Sequence, residues 1–139
     1  MTVKRVSPEE AKQLIDDEGY VYVDVRSLPE FEAGHPTGAY NVPLMHQAEM
    51  GMTPNPDFLG VMEKSFSKTA RLVVGCKAGG RSARAAAVLE AAGFTDVVDQ
   101  KAGYEGSSPL EPGWRPKGLP TSTQAPADRT YDGLRSRKP

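Results

Sequence analysis

Apolar positions along the chain fall into short clusters separated by glycine, proline and charge, and the spacing inside each cluster predicts its form. Ser7-Pro8-Glu9-Glu10 reads as a helix start, with Ser7 as N-cap, Pro8 at the first helical position and Glu10 completing a capping box. Ala11, Leu14 and Ile15 then mark an apolar face, and Gly19 stops the helix. Residues 20–25 alternate, placing Val21, Val23 and Val25 on one side of a predicted strand. Residues 28–31 predict a short helical turn ended by Gly34, and residues 39–43 a short strand. Phe58, Val61, Met62 and Phe66 recur at helical spacing. Leu72-Val73-Val74 is a continuous apolar run of the buried-strand kind. The chain breaks at Gly79-Gly80 and resumes as an alanine-rich helix from about 82 to 92, with Gly93 as its stop. Residues 94–98 predict one further strand. Strands alternating with helices at these lengths imply α/β architecture with a parallel sheet flanked by helices.

Two stretches are less regular. Met45, Met50, Met52 and Met62 surround Gly51 and the Pro54-Asn55-Pro56 break, either as adaptable core filling and cover or as a hydrophobic rim to a site. Residues 121–139 are rich in Ser, Thr and Pro, with four basic and two acidic residues, and Tyr131 and Leu134 as the large hydrophobes. They read as a flexible or draped C-terminal tail following a single domain at 1–120.

Length and charge narrow the classes of function. A chain of 139 residues supports one core. A net charge of −1 argues against a general nucleic-acid or membrane-surface role. No stretch approaches the ~18 apolar residues of a membrane span. The segment Met1-Thr2-Val3-Lys4-Arg5-Val6 carries no apolar leader core, so the expected compartment is the cytoplasm. One cysteine cannot form an internal disulfide, and with two histidines it gives no zinc-site spacing, so no metal is expected. A lone thiol suits a reducing compartment.

That cysteine, Cys76, stands where the apolar run stops, and open parallel sheets place ligand sites beyond the carboxyl ends of their strands. Between Cys76 and Ser82 the backbone N–H groups precede the helix, and Gly79 and Gly80 let the loop curl so that several point inward. Such a nest at a helix N-terminus favours an anion, thiolate among them, and Lys77 and Arg81 add two positive charges. Asp24 and Arg26 fall where the strand at 20–25 ends; Asp24 serves as a turn cap or as a support that orders Arg26 behind the cysteine loop. His35, alone in a Gly/Pro-rich turn, reads as a structural residue bonded to backbone.

At this loop a resemblance appears. Cys76-Lys77-Ala78-Gly79-Gly80-Arg81-Ser82 resembles the active-site loop of the rhodanese family, the single-domain sulfurtransferases. Tyr22-Val23-Asp24-Val25-Arg26 with Pro29-Glu30-Phe31 resembles the family's first signature, and Gly34-His35-Pro36-Thr37-Gly38-Ala39-Tyr40-Asn41-Val42-Pro43 the second. Order and spacing agree from about residue 6 to 120. The resemblance implies about five parallel strands with helices on both faces, Cys76 following the central strand. It also implies sulfur transfer from a small-molecule donor through a Cys76 persulfide to cyanide, a thiol or a protein acceptor, with no cofactor. In that scheme the N–H groups of Lys77, Ala78, Gly79, Gly80, Arg81 and Ser82 hold the outer sulfur and Lys77 attracts the donor's anionic end. Arg81 locks the loop by pairing with an acidic residue, and Asp24 and Arg26 support it. His35 is structural.

The chain departs from the family pattern at two places. Thiosulfate-using members carry two adjacent basic residues after the cysteine, and the second is here Ala78, so a persulfide donor is the alternative to thiosulfate. Ala102-Gly103-Tyr104-Glu105-Gly106 stands where a doubled glycine and an Ala-Trp pair are expected, and an insertion at 107–113 precedes Trp114, read as a packing residue. That insertion reshapes one wall of the site entrance. Two rival functions share the loop. One is a sulfur carrier or binding module without turnover. The other is a phosphate or arsenate enzyme, whose Cys–Arg loop spans five residues; this chain has four, Lys77 to Gly80, which makes a smaller cradle.

Overall fold

The computed structural model describes residues 3–137. In chain order they form β1 (Lys4–Val6), α1 (Pro8–Glu18), β2 (Val21–Asp24), α2 (Leu28–Ala33), β3 (His35–Pro36) and β4 (Tyr40–Asn41). There follow β5 (Met45–Ala48), β6 (Gly51–Pro54), α3 (Phe58–Ser65), β7 (Leu72–Gly75), α4 (Gly80–Ala91) and β8 (Val97–Gln100). The short strands β9 (Gly106–Ser108), β10 (Glu111–Pro112) and β11 (Thr121–Ser122), a 3-10 turn at Ala127–Arg129 and α5 (Tyr131–Arg135) complete the chain.

The capping chemistry forms as its residue types dictate. Ser7 Oγ accepts the Glu10 N–H at 3.1 Å while Glu10 Oε1 accepts the Ser7 N–H at 2.9 Å, so two donors without helical partners are satisfied at once. Five strands build one all-parallel sheet in the order β1-β8-β7-β2-β4. The middle strand, β7, is buried at all four positions, as a parallel strand covered on both faces must be. Side chains alternate between two apolar layers. Val23, Val74, Met62, Leu89 and Phe94 fill one; Val6, Tyr22, Val73, Val98 and Trp114 fill the other. Trp114 is a packing residue here, edge-on to Tyr22 with centroids 5.3 Å apart, and its indole N–H donates to the Pro120 carbonyl at 2.7 Å.

Three features differ from the pattern expected of the sequence. The edge strand β1 is one, hidden because Lys4 and Arg5 interrupt the apolar signal. The last main strand is another: it runs Val97–Gln100 rather than 94–98, with Phe94 buried ahead of it. Its polar residues are buried against partners, apart from Asp99 Oδ1, which meets none among the described residues. Arg5 Nε donates to Asp99 Oδ2 at 2.9 Å, and Gln100 accepts from the N–H groups of Ala102 and Gly103, both at 2.9 Å. Third, the methionine-rich stretch is a hairpin of β5 and β6. Met62 is core, whereas Met50 stands fully exposed at the hairpin's tip.

Residues 121–137 lie on the domain. β11 pairs antiparallel with β3, and α5 inserts Tyr131 and Leu134 into the core, where the Asn55 side-chain amide donates to the Tyr131 hydroxyl at 3.1 Å. Residues 1–2, the start of the segment expected to carry no leader core, and 138–139 of the tail lie outside the described residues.

Candidate active site

β7 ends at Gly75, so its direction delivers Cys76 to the carboxyl edge of the central strand. The chain turns through Lys77, Ala78 and Gly79 and enters α4 at Gly80. This curl brings the Gly79 N–H to Cys76 Sγ at 3.0 Å, and Sγ lies 3.6 Å from Ser82 Oγ. Ser82 is itself fixed, donating to the Gly79 carbonyl at 3.2 Å. Cys76 is buried, while Lys77 and Ala78 are exposed. Lys77 joins none of the ion pairs among the described residues. Of the loop N–H groups expected to face the sulfur, that of Gly79 makes the contact; those of Gly80, Arg81 and Ser82 open the first turn of α4.

Glycine is required at 79. Its φ is +105°, and a Cβ there would stand 2.2 Å from the Lys101 carbonyl oxygen. The same segment holds the loop at two more points: Tyr104 N–H donates to the Cys76 carbonyl at 2.7 Å and Glu105 N–H to the Lys77 carbonyl at 3.0 Å. Gly103, with φ +73°, makes room for this, since a Cβ would lie 2.4 Å from the Lys77 carbonyl.

Arg81 meets the acidic partner expected for it, and that partner is Glu30. Glu30 is also the residue that caps α2: its Oε1 accepts the Ser27 N–H at 3.1 Å and the Ser27 hydroxyl at 2.8 Å. Burial pushes the Glu30 carboxyl up, but the hydrogen bonds from Arg81 and Ser27 outweigh it and hold the pKa at about 2.

Behind the loop, Asp24 and Arg26 form a buried pair. Arg26 Nη2 donates to Asp24 Oδ2 at 2.7 Å and Arg26 Nε to Oδ1 at 3.0 Å. Burial works against the guanidinium's charge, and the Asp24 carboxylate overcomes it, so the Arg26 pKa moves up. Arg26 Nη2 also donates to the Gly34 carbonyl at 2.6 Å, and its guanidinium lies 4.3 Å above the Tyr104 ring. Asp24 and Arg26 thus reach the cysteine through Tyr104. Asn41 fixes the strand end, donating to the Asp24 and Arg26 carbonyls at 3.0 Å each.

His35 stands apart from the sulfur, its ring nitrogens 2.8 Å from the Phe31 carbonyl and 2.9 Å from that of Gln124. Among the described residues no cluster of three or more His, Cys, Asp or Glu could hold a metal, and no helix is long and apolar enough to cross a membrane.

Tyr104 and Glu105, marked in the sequence only as departures from the family pattern, and Arg115, not marked at all, line a groove of about 310 Å³ beside Lys77. Nor did the sequence single out Glu30 as the partner of Arg81. The spacing Ser27-x-x-Glu30 was a usable signal, but it marks a helix start equally well.

The chain and its fold are similar to known proteins. The model of the rhodanese-like domain matches residues 7–108. The chain is 44% identical over 103 residues to thiosulfate sulfurtransferase 16, chloroplastic, of Arabidopsis thaliana, covering 74% of this chain and 80% of that protein. It is 44% identical over 86 residues to the senescence-associated protein DIN1 of Raphanus sativus, covering 62% of this chain and 47% of that protein, about half its length. Among solved structures, Rv0390 from M. tuberculosis superposes with a TM-score of 0.74 at 27% identity, over 89% of this chain and all of that one.

Proposed function

The chain belongs to the rhodanese-like domain family, and from that premise we propose that it is a sulfurtransferase carrying sulfane sulfur on Cys76. The observation that carries the reading is the Gly79 N–H directed at Cys76 Sγ, 3.0 Å away, at the mouth of a helix N-terminus. In the first step the Cys76 thiolate attacks the outer sulfur of thiosulfate. A sulfur–sulfur bond forms to Cys76, the bond to the sulfonate sulfur breaks, and sulfite leaves with that electron pair. The persulfide's outer sulfur then carries the negative charge, and the amides at the start of α4 stabilise it. In the second step cyanide or a thiolate attacks the outer sulfur, the pair of the breaking bond returns to Cys76, and thiocyanate or a new persulfide departs. No general base takes part, because the attacking and leaving groups are all anions.

Lys77, an exposed point charge next to the nucleophile, draws the anionic donor. With Ala78 beside it in place of a second cation, a low-molecular-weight persulfide serves as donor as well as thiosulfate. A thiol that must be free between cycles suits a reducing compartment.

Intact-mass spectrometry of wild type and Cys76→Ser tests the reading. After thiosulfate or a small persulfide, wild type alone gains one sulfur atom, and cyanide removes it as thiocyanate. An adduct that cyanide cannot discharge would favour a carrier without turnover. No adduct with any sulfur donor would overturn the assignment.

A further inference from the structure

The groove beside the loop is larger than a cyanide or thiosulfate ion needs. Its volume of about 310 Å³ falls at the small end of clefts that hold organic ligands, roughly 300–1,000 Å³. Its walls carry charges of both signs, and most are already committed. Arg26 belongs to Asp24 and lies over Tyr104; Glu30 belongs to Arg81. Lys77 remains, together with one pair at the water-facing wall, where Arg115 Nε donates to Glu105 at 2.7 Å. That pair is exposed, 55% at Arg115 and 34% at Glu105, so it contributes little to stability and opens easily. Both residues flank the hairpin of β9 and β10, built from the insertion at 107–113. Both are anchored by backbone: Glu105 N–H to the Lys77 carbonyl at 3.0 Å, and Arg115 N–H to the Tyr104 carbonyl at 3.0 Å. A carboxylate and a guanidinium are therefore held side by side in the groove that Lys77 also lines, and Lys77 directly follows the nucleophile in the chain.

We infer that this groove binds the α-amino-acid end of a low-molecular-weight thiol, with Arg115 taking the carboxylate and Glu105 the ammonium, so that the thiol sulfur is delivered toward Cys76. The inference rests on the persulfide reading above. A ligand carrying both signs replaces the Arg115–Glu105 pair with two charge-assisted contacts, whereas a singly charged one leaves a partner unmatched. In the transfer the bound thiolate attacks the outer sulfur of the Cys76 persulfide. A sulfur–sulfur bond forms to the thiol, the old one breaks, and its electron pair returns to Cys76. Arg115 and Glu105 touch the acceptor's far end, so their effect is selectivity among thiols.

The test is single-turnover discharge of the full chain, loaded with sulfur and verified by intact mass, by three thiols compared at equal thiolate concentration. Cysteine carries both charged groups, cysteamine lacks the carboxylate, and 3-mercaptopropionate lacks the amine. Wild type should prefer cysteine over each of the others by about tenfold, the effect of one charge-assisted contact. Arg115→Gln should abolish the preference for cysteine over cysteamine, and Glu105→Gln the preference over 3-mercaptopropionate. Equal discharge by all three thiols from wild type, or both variants slowing all three alike, would overturn the inference while leaving the persulfide cycle standing. Failure to load sulfur from any donor overturns the underlying reading, and this inference with it.

Discussion

Arg81 and Glu30 face each other through two hydrogen bonds, Nη1 to Oε1 at 2.7 Å and Nη2 to Oε2 at 3.1 Å. The residues are 51 positions apart, so the pair ties the first turn of α4 to the start of α2. A guanidinium is suited to this task, because its planar fork matches both carboxylate oxygens at once, where an ammonium would match one.

Acid should loosen that tie. Glu30 is held at about 2 in the folded chain, below the ~4.3 of an unperturbed glutamate. A depressed carboxylate contributes its full stabilisation above the unfolded value and loses it as pH falls from about 4.3 toward 2. With its side chain 20% exposed, we expect Glu30→Gln to cost roughly 2 kcal/mol at neutral pH. Urea unfolding between pH 7 and pH 2.5 checks this: the gap between wild type and variant should close in that window, and a constant gap would contradict it.

Gly79→Ala should damage the site more than any other single-methyl change in the loop. The added methyl meets the Lys101 carbonyl and occupies a left-handed conformation, costing about 2–3 kcal/mol. Because the Gly79 amide faces Cys76 Sγ, sulfur transfer should fall by at least a hundredfold while the fold survives. Steady-state thiocyanate formation alongside circular dichroism separates the two effects.

Leu134 is fully buried although it lies five residues before the chain's end. Leu134→Ala should destabilise the protein by about 2–4 kcal/mol, the cost of a cavity in a packed core. A thermal melt unchanged by the substitution would mean that α5 is not seated in solution.

The methionines should separate sharply. Met62→Ala removes a fully buried side chain and should cost about 2–4 kcal/mol; Met50→Ser, at a site open to water, should change stability by less than about 0.5 kcal/mol. Paired urea titrations read both.

Much of this architecture was legible wherever one residue type has one local meaning. Ser7 and Glu10 mark a helix start by chemistry alone, and Leu72-Val73-Val74 can be little else than a covered strand. The cysteine loop was visible because glycine, cation and lone thiol coincide in it. What escaped depends on distant partners. Asp99 and Gln100 look like solvent residues until Arg5 and the 102–103 backbone arrive to pair with them, so the sequence reads β8 as ending early. Lys4 and Arg5 hid an edge strand for the same reason. Tyr131 and Leu134, spaced in a polar tail, carry no periodicity from which docking could be read. Glu30 carries no local sign of Arg81, because the two stand 51 positions apart.

The cysteine loop is braced from behind by main-chain bonds, from Tyr104 to the Cys76 carbonyl and from Glu105 to the Lys77 carbonyl. Such bonds are indifferent to side-chain identity, apart from the glycines at 79 and 103. The cradle's shape and its surface charge can therefore be altered independently. Lys77, Ala78 and Glu105 can be exchanged without disturbing the main-chain bonds that set the Gly79 amide against Cys76 Sγ. A scaffold divided this way lends itself to redesign, since the charge around the thiol is written on side chains and the shape of its loop on the backbone.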